Sequence, residues 1–388
     1  MIVRHEAWGA WVKLESMPAL VALDHAGVAA LGVDRPKMVP AARRPLEVHL
    51  AVTSRCGAGC EGCYTNARAD GTHVATARLL ESIRGLAHGG AFAVALGGGE
   101  PTLHDDLDVL AREAKRLGVT PVVTTSGLGL TEAKIDRLRE FAQVNVSYDG
   151  RGETFAAVRG YAGAEGAERA ITRLVEHGIR VGVDVVLTRA TFPALTGTLR
   201  HARALGASEA QLLRFKPGGR TTTLDYLAHK LRAEQVLELP RVLSELTAEH
   251  APSFRLRIDC SMVPLLAGDR SITAARLEAL GVLGCVAGDE LAAITAGEMV
   301  APCSFLPATT QPASSIGEGL DDAAFAPYRA WERDPDAPCA SCDLRPVCRG
   351  GCKAVTLAVD GVIGPDPDCP RVASFRERNR RAPAPPST

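Results

Sequence analysis

Three cysteines stand close together in the segment CGAGCEGC, at Cys56, Cys60 and Cys63. The small residues between them let the backbone fold tightly around one centre. A structural zinc site needs four closed ligands, and no fourth cysteine is adjacent. Three local thiols instead suit a 4Fe-4S cluster with one iron left open, and an open position is how a metal reaches a substrate or cofactor. Three reduced thiols in a loop are the alternative.

Eight further cysteines lie between residues 260 and 369. Eight thiolates make two complete four-thiolate sites, so the 11 cysteines of the chain fit one open cluster and two fully ligated clusters. A pair of zinc-ribbon sites is the alternative for these eight, and a buried apolar cysteine is the alternative for Cys260 alone. The eight are Cys260, Cys285, Cys303, Cys339, Cys342, Cys348, Cys352 and Cys369.

Other candidate ligands follow the predicted strands, where the chemistry of α/β barrels gathers. In GGGEP, Gly98 and Gly99 permit close approach of a ligand, and the Glu100 carboxylate can pair with an ammonium. The alternative for this motif is a plain strand-to-helix turn. Three later polar residues are as readily turn or cap residues as ligands, and three basic residues suit either substrate contact or a solvated loop. These six are Ser126, Ser147, Thr188, Arg214, Lys216 and Arg220.

The elements that must position these residues alternate between strands and helices from residue 46 onward. Such alternation implies a parallel sheet with right-handed crossovers, and Val/Leu/Ala-rich strands are typical of a sheet covered on both faces. A six-unit partial barrel and an open doubly wound sheet both fit. Predicted strands are 46–53, 92–97, 120–125, 144–148, 179–188 and 211–215. Predicted helices are 75–88, 105–117, 132–141, 164–177, 192–205 and 233–250.

The chain divides into five segments by composition. Residues 1–45 are strand-rich and then linker-like, 46–232 carry the strand–helix alternation, and 233–284 form a helical bridge. Residues 285–372 have few long apolar runs, so this segment needs cross-links or metals to fold. Residues 373–388 are basic and then rich in proline and alanine.

Composition excludes several classes of protein. The chain has 388 residues, 46% of them hydrophobic and 23% charged, which is typical of a globular fold and not of a disordered chain. A net charge of −1 gives no basic field for nucleic acid or an anionic membrane. No run reaches the roughly 18 apolar residues of a membrane helix, and the charged amino terminus is unlike a signal peptide. We therefore expect a cytoplasmic protein.

CGAGCEGCY, at residues 56–64, resembles the CxxxCxxC-aromatic motif of the radical S-adenosylmethionine (SAM) enzymes. The block 285–369 resembles the SPASM domain, a two-cluster extension of peptide-modifying members. CRGGCKA…GPDPDC and LRFKPGGR strengthen the likeness to the maturases of mycofactocin and pyrroloquinoline quinone biosynthesis. The resemblance implies an α/β fold: a partial (β/α)6 radical SAM barrel with a short N-terminal strand-rich segment and a C-terminal cysteine-rich SPASM domain.

The resemblance also implies roles for individual residues. Cys56, Cys60 and Cys63 would bind the 4Fe-4S cluster whose open iron chelates SAM, with Tyr64 beside the adenine. The Gly98–Pro101 segment would hold the methionine amino group, and Arg159 in VRGY matches an Arg-Gly that reaches the cofactor carboxylate. Further cofactor contacts would come from Ser126, Ser147 and Thr188.

Two auxiliary clusters are implied in the C-terminal block. Cys260, Cys285, Cys303 and Cys352 would hold the nearer one, and Cys339, Cys342, Cys348 and Cys369 the outer one. The sequence departs from the family pattern at three places: Ala292 replaces a further cysteine, Ser126 replaces an asparagine, and Ser304, followed by Phe305, stands where sulfatase-maturing relatives place an acid. No catalytic acid or base is therefore identified.

The resemblance favours modification of a ribosomally made precursor peptide, with a flavodoxin or ferredoxin as reducing partner. The N-terminal segment with Trp8 and Trp11 would either add an edge to a leader peptide or cover the bottom of the barrel. One alternative is a radical SAM dehydrogenase acting on a small molecule such as a sugar alcohol or aminoglycoside. A zinc-binding adaptor without catalysis is the other.

Overall fold

The computed structural model describes residues 2–6, 9–13, 20–32, 44–329 and 335–381. At the amino terminus, three antiparallel strands form a small sheet in the order β1-β2-β3, followed by helix α1. Their bounds are β1 Ile2–Glu6, β2 Gly9–Lys13, β3 Leu20–Asp24 and α1 His25–Ala30. β1 and β2 confirm the strand-rich segment that the sequence predicted. Residues 33–43, most of the predicted linker, and Trp8 lie outside the described residues.

The small sheet lies against the amino ends of the central strands. Lys13 Nζ is 3.4 Å from the carbonyl oxygens of Phe92 and Gly118, which stand just before two of those strands. Arg4 Nη1 donates to the Pro45 carbonyl at 3.0 Å, just before a third. The sheet therefore covers the bottom of the barrel, and Trp11 lies on its central strand and not on an edge.

The central sheet has nine strands in the order β10-β9-β8-β7-β6-β5-β4-β11-β12. Neighbours from β10 to β11 pair in parallel, and β11 pairs with β12 antiparallel. The bounds are β4 Glu47–Thr53, β5 Ala93–Gly98, β6 Thr120–Thr125, β7 Gln143–Ser147, β8 Val181–Leu187, β9 Glu209–Arg214, β10 Arg255–Ile258, β11 Leu291–Ile294 and β12 Val300–Ala301. The mostly parallel α/β fold is as the sequence predicted.

Helices cover the outer face of this sheet and build the C-terminal region. α2 buries Leu79, Ile83 and Leu86, at the spacing of one helix face; each such side chain stabilises the fold by about 2 kcal/mol. The bounds are α2 Thr76–His88, α3 Leu107–Arg116, α4 Glu132–Leu138, α5 Gly152–Arg159, α6 Ala164–Glu176, α7 Leu195–Ala204, α8 Thr223–His229, α9 Ala233–His250, α10 Ala274–Ala279, α11 Asp322–Arg329, α12 Arg345–Cys348, α13 Lys353–Asp360 and α14 Pro370–Arg381.

All six predicted strands and all six predicted helices are present. The pattern missed β10, whose sequence RLRI alternates charged and apolar residues, and β11, which lies inside the cysteine-rich block. Arg255 and Arg257 of β10 both pair with Glu209 on the neighbouring strand. A long-range partner makes this short charged strand possible, and sequence periodicity does not reveal such a partner.

The two faces of the sheet differ in polarity. Val48, Leu50 and Val52 of β4 are buried in the core beneath the helices, whereas Glu47 and His49 face the concave side. The strands curve enough for Thr124 Oγ1 on β6 to donate to Asp184 Oδ2 on β8, across β7, at 3.2 Å. Interiors of closed barrels of this type are usually filled with branched apolar side chains. This lumen instead holds a large cavity lined by both polar and apolar residues, which makes it a candidate binding site.

Candidate active site

The loop that carries Cys56, Cys60 and Cys63 follows β4 and is held from two sides. Cys56 N donates to the Arg68 carbonyl at 2.8 Å. Arg220 Nη2 donates to the Cys60 carbonyl at 2.6 Å, and its backbone N–H donates to the Cys63 carbonyl at 2.9 Å. Backbone carbonyls thus fix the loop, which leaves the three thiols free to act as ligands.

Arg214, Lys216 and Arg220 all contact specific protein groups. The alternative that places them on a solvated loop is therefore wrong. Arg214 is 5% exposed, and Lys216 donates to Asp259 Oδ2 at 2.5 Å. Each has a specific buried partner, which a local pattern of basic residues cannot show.

The Gly98–Glu100 segment packs directly against the strand that leads into the cysteine loop. Gly99 N donates to the Thr53 carbonyl at 2.7 Å, and Glu100 N donates to the Arg55 carbonyl at 2.8 Å. A Cβ on Gly98 would lie 2.4 Å from the Thr53 oxygen, and one on Gly99 would lie 2.1 Å from the Arg55 oxygen. Only glycine fits here, so this segment fixes the loop as well as lining the cavity.

Glu100 is 4% exposed and is the centre of a hydrogen-bond network. Its Oε1 accepts from the hydroxyls of Thr102 at 2.8 Å and Thr125 at 2.7 Å. Its Oε2 accepts from Ser126 N at 2.8 Å and Ser126 Oγ at 2.6 Å. The network fixes Ser126 at the cavity wall, and an ammonium bound by Glu100 would share oxygens already used by these donors.

Arg159 ends α5 and pairs with a buried carboxylate. Its Nε donates to Asp149 Oδ2 at 2.6 Å, and Asp149 Oδ1 accepts from Val186 N at 2.6 Å. Burial opposes the charge of Arg159, but Asp149 and Cys60 raise its pKa above the ordinary value. Arg159 is therefore a fixed cation beside the cysteine loop, suited to an anionic group.

Two further predicted ligands have different positions. Ser147, at the end of β7, lines the cavity. Thr188 follows β8, is buried, and its Oγ1 accepts from the backbone N–H groups of Ala190 and Thr191 at 3.2 and 3.1 Å. That hydroxyl stabilises a turn, and Thr188 is not among the residues that line the cavity.

One cavity of about 2800 Å³ joins the cysteine loop to part of the C-terminal region. At its mouth the Tyr64 ring stacks on Phe305, with ring centroids 4.7 Å apart, and Lys216 Nζ lies 4.5 Å from the Phe305 centroid. Seven of the cysteines line this cavity: Cys56, Cys60, Cys63, Cys260, Cys285, Cys303 and Cys352. Two groups of thiols therefore face one enclosed space.

The first C-terminal group of thiols comprises Cys260, Cys285, Cys303 and Cys352. A hydrogen bond with Cys285 and burial raise the pKa of Cys260. Burial, with Cys285 and Cys352 nearby, raises the pKa of Cys303 to about 12. All four thiols line the same cavity, although they come from distant parts of the chain.

The second group comprises Cys339, Cys342, Cys348 and Cys369. Burial, then Cys369 and Cys342, raises the pKa of Cys339 to about 11. Burial and Cys369 also raise the pKa of Cys348. None of the four is among the residues that line the large cavity, so this group is the outer one.

A buried ionic network links the barrel to the C-terminal region. Arg214 on β9 donates to Asp366 Oδ2 at 2.7 Å and Oδ1 at 3.0 Å, and to Asp368 Oδ2 at 2.7 Å. Asp366 Oδ2 also accepts from Cys352 N at 2.9 Å, and its carbonyl accepts from Cys369 N at 3.1 Å. The Asp366 residue thus contacts one cysteine of each C-terminal group.

Asp184 on β8 was not recognised from the sequence as a site residue. It lines the cavity, is 7% exposed, and its Oδ1 has no hydrogen-bond partner among the described residues. Burial raises its pKa to about 7. The signal in the sequence was one acid within the apolar strand VGVDVVL. Reasoning from hydrophobic periodicity predicts the strand and gives this acid no further role.

The candidate donors are free thiols, which suit iron–sulfur clusters. Among the described residues no group of three His, Cys, Asp or Glu side chains is arranged to hold a single metal ion. Three thiols on one loop that face a cavity also match a cluster with one open iron.

The radical SAM superfamily model matches residues 50–196, which include the cysteine loop and most of the barrel. This segment is thus a radical SAM domain, and the radical SAM family uses SAM and a 4Fe-4S cluster. No helix of the described residues is long and apolar enough to cross a membrane.

Several curated proteins are similar to this chain. Mycofactocin maturase MftC of Mycobacterium tuberculosis is 27% identical over 358 residues, which cover 86% of each chain. Fe-coproporphyrin III synthase of Methanosarcina barkeri is 28% identical and covers 82% of this chain and 86% of its own. Pre-heme d1 synthase of Dinoroseobacter shibae is 36% identical over 142 residues, and the match spans only 35% of either protein.

The fold also matches a solved structure along nearly the whole chain. Streptococcus suis SuiB bound to precursor peptide SuiA superposes with a TM-score of 0.74 and 15% sequence identity. The match covers 95% of this chain and 98% of that chain. This likeness extends the predicted architecture to the N-terminal and C-terminal regions outside the matched family segment.

Proposed function

We propose that this enzyme is a peptide maturase, which reductively cleaves SAM and abstracts hydrogen from a residue of a ribosomally made precursor peptide. The observation that carries the proposal is the shared cavity. Cys56, Cys60 and Cys63 face it from the barrel, and the nearer C-terminal thiol group faces it from the other side. A substrate in this cavity lies between a radical-generating centre and a second redox centre.

The size of the cavity favours a peptide. Small-molecule sites usually enclose roughly 300–1,000 Å³, whereas this cavity encloses about 2800 Å³. SAM and two clusters occupy part of it, and a chain segment fits the remainder. The mycofactocin maturase relative and the SuiB complex with a precursor peptide support the same substrate class.

The residues of the cavity divide the work of binding. When bound, the cluster at Cys56, Cys60 and Cys63 supplies the electron that cleaves SAM. Arg159 suits the SAM carboxylate because it is a partly buried cation that Asp149 holds in place. The Gly98–Glu100 segment, Ser126 and Ser147 suit its polar groups, and Tyr64 presents a ring to the adenine.

The proposal includes an auxiliary 4Fe-4S cluster at each C-terminal thiol group. Cys260 completes the nearer group in this proposal, because its thiol forms a hydrogen bond with the thiol of Cys285. Ala292, at the departure from the family pattern, is fully buried on β11. A small electron carrier such as a flavodoxin or ferredoxin is the expected reductant, and the cytoplasm is the expected location.

Anaerobic reconstitution tests the cofactor content. We expect about 12 irons per chain from three four-iron clusters, and 5′-deoxyadenosine plus methionine from SAM with dithionite. Cys56→Ala should abolish SAM cleavage, whereas Cys342→Ala should lower iron content without abolishing cleavage. Zinc without iron would contradict the proposal and favour a zinc-binding adaptor without catalysis. About four irons with zinc would leave only the radical centre.

Substrate class needs separate probes. Peptides encoded by short reading frames beside the gene should change mass with SAM and dithionite. One observation favours a second candidate, a small-molecule substrate, because a relative of similar length is an Fe-coproporphyrin III synthase. Iron coproporphyrin, a sugar alcohol and an aminoglycoside are therefore the comparison probes. Conversion of one of these, with unchanged peptides, would replace the peptide proposal.

A further inference from the structure

Ser304 and His49 are joined in the wall of the cavity although 255 residues separate them. His49 Nδ1 lies 2.9 Å from Ser304 Oγ. Its Nε2 lies 3.3 Å from Glu47 Oε1. All three residues line the cavity. Hydroxyl, imidazole and carboxylate thus form a continuous chain that opens toward the substrate space.

Neighbouring residues keep the side chains of Ser304, His49 and Glu47 in place. His49 pairs in register with Ala95 of β5 on one side and Ala293 of β11 on the other, and these small neighbours leave room for the imidazole. Next to Ser304, the Phe305 ring stacks on Tyr64, which anchors the loop from the C-terminal region. The contact between His49 and Ser304, called the relay below together with Glu47, therefore joins the barrel to the C-terminal region.

The charges around the relay define one proton arrangement. Burial raises the pKa of Glu47, but His49 and Arg257 of β10 lower it by more, so Glu47 is a carboxylate. His49 Nε2 lies 3.3 Å from that carboxylate, so the neutral tautomer with its hydrogen on Nε2 presents the Nδ1 lone pair to the Ser304 hydroxyl. Neither β5 nor β11 places a titratable residue opposite His49. Across the lumen, the cavity lining also carries Asp184, and Lys216 with its partner Asp259, among other charged residues of the strands.

We propose that Ser304, His49 and Glu47 form the proton-accepting relay of this enzyme, acting on a heteroatom-bound hydrogen of the substrate. The proposal rests on the proposed function, in which the cavity binds substrate. The substrate heteroatom–hydrogen bond breaks and its electron pair stays on the substrate. The proton forms a new bond to Ser304 Oγ, while the Ser304 proton passes to His49 Nδ1. Ser304 is the catalytic residue, and His49 and Glu47 act through it.

A fluorophosphonate probe tests the relay without any substrate. When Ser304 Oγ attacks phosphorus, an O–P bond forms, fluoride leaves, and the hydroxyl proton goes to His49. We expect peptide mass spectrometry of the reconstituted full chain to find the label on Ser304. General-base assistance accelerates such steps by about 10²–10⁴-fold, so His49→Gln should slow labelling at least about a hundredfold.

Three variants separate a relay from a structural effect. Ser304→Ala removes the labelled position, and Glu47→Gln should slow labelling while keeping the fold. His88→Gln, at the exposed end of α2, is the matched control and should label as the wild type does.

The outcomes are distinct from those of the proposed function. Iron content and 5′-deoxyadenosine formation, measured on the same samples, report the radical centre alone. An unlabelled Ser304 in the wild type, or equal rates in the wild type and His49→Gln, overturns the relay whatever those measurements show. Normal labelling without SAM cleavage would keep the relay and remove the proposed function.

Discussion

The ring of Tyr64 stacks on the ring of Phe305, with centroids 4.7 Å apart and planes 23° apart. Tyr64 follows the last cysteine of the barrel loop, and Phe305 stands two residues after Cys303. The contact therefore joins the neighbourhoods of two thiol groups. It also fixes the face that Tyr64 can offer to a bound nucleoside.

Removing the Phe305 ring should weaken SAM binding. An aromatic pair of this kind contributes about 1 kcal/mol, which corresponds to about a fivefold increase in Kd. Equilibrium dialysis of SAM against reconstituted Phe305→Leu and Phe305→Tyr measures it. The tyrosine variant keeps the stack and should bind like the wild type, so equal loss in both variants would contradict the explanation.

Arg220 should control iron loading of the barrel loop. Its guanidinium donates to the carbonyls of Cys60 and Ala67, and Arg220→Ala leaves those carbonyls without their charged donor. Such a loss costs about 1.5–3 kcal/mol, enough to loosen the loop. We expect the iron of the first centre to be lost while the C-terminal iron remains. Arg270→Ala, at an exposed position, is the control and should keep full iron.

Arg214 should be one of the most sensitive positions for stability. It is buried between Asp366 and Asp368, and Arg214→Leu leaves Asp366 without its cation and Asp368 with Lys230 alone. Breaking a buried pair in this way typically costs about 3–5 kcal/mol. The thermal midpoint should fall clearly, and adding Asp368→Asn should restore part of it. A midpoint within the scatter of the wild type would show that Lys230, which also pairs with Asp368, is sufficient.

Asp184 should make stability depend on pH. Its pKa in the fold is about 7, mainly because of burial, against 3.8 when exposed. The folded state therefore holds the proton more tightly, and this stabilisation is full below about pH 4 and lost as pH rises through 7. The difference corresponds to about 4 kcal/mol at most. Asp184→Asn should raise the thermal midpoint clearly at pH 8 and by less than half as much at pH 5.

A surface acid supplies the comparison for Asp184. Asp136→Asn alters an exposed carboxylate on α4 and should show no such pH-dependent gain. Equal midpoint changes at pH 5 and 8 for Asp184→Asn would mean that the carboxyl is already ionised across that range.

Much of the fold could be predicted because β4 to β9 carry strong local signals. Strands such as Val181–Leu187 are apolar, and helices such as Thr76–His88 have a clear apolar face, so short windows suffice. β10 and β11 could not be found in this way. Their stability comes from pairing with β9 and β4, which are distant in the sequence.

The residues of the candidate site also fall into two kinds: those that a local motif reveals and those that depend on distant partners. The cysteine loop and the Gly98–Glu100 segment are local motifs, and residue types with spacing reveal them. Arg214, Arg220 and the His49–Ser304 contact depend on partners more than 150 residues away. No local pattern carries such information, so the sequence leaves substrate contact and a solvated loop both open for the basic residues and indicates no role for His49.

The interleaving of the two C-terminal thiol groups has a consequence for biogenesis. The barrel set is complete once Cys63 has left the ribosome. The nearer C-terminal set waits for Cys352, and the outer set waits for Cys369. Iron delivery to the barrel loop can therefore begin on a nascent chain, whereas the proposed auxiliary sites can be filled only after Cys352 and Cys369 have been made. Premature termination after the barrel would release a chain that lacks both proposed auxiliary sites.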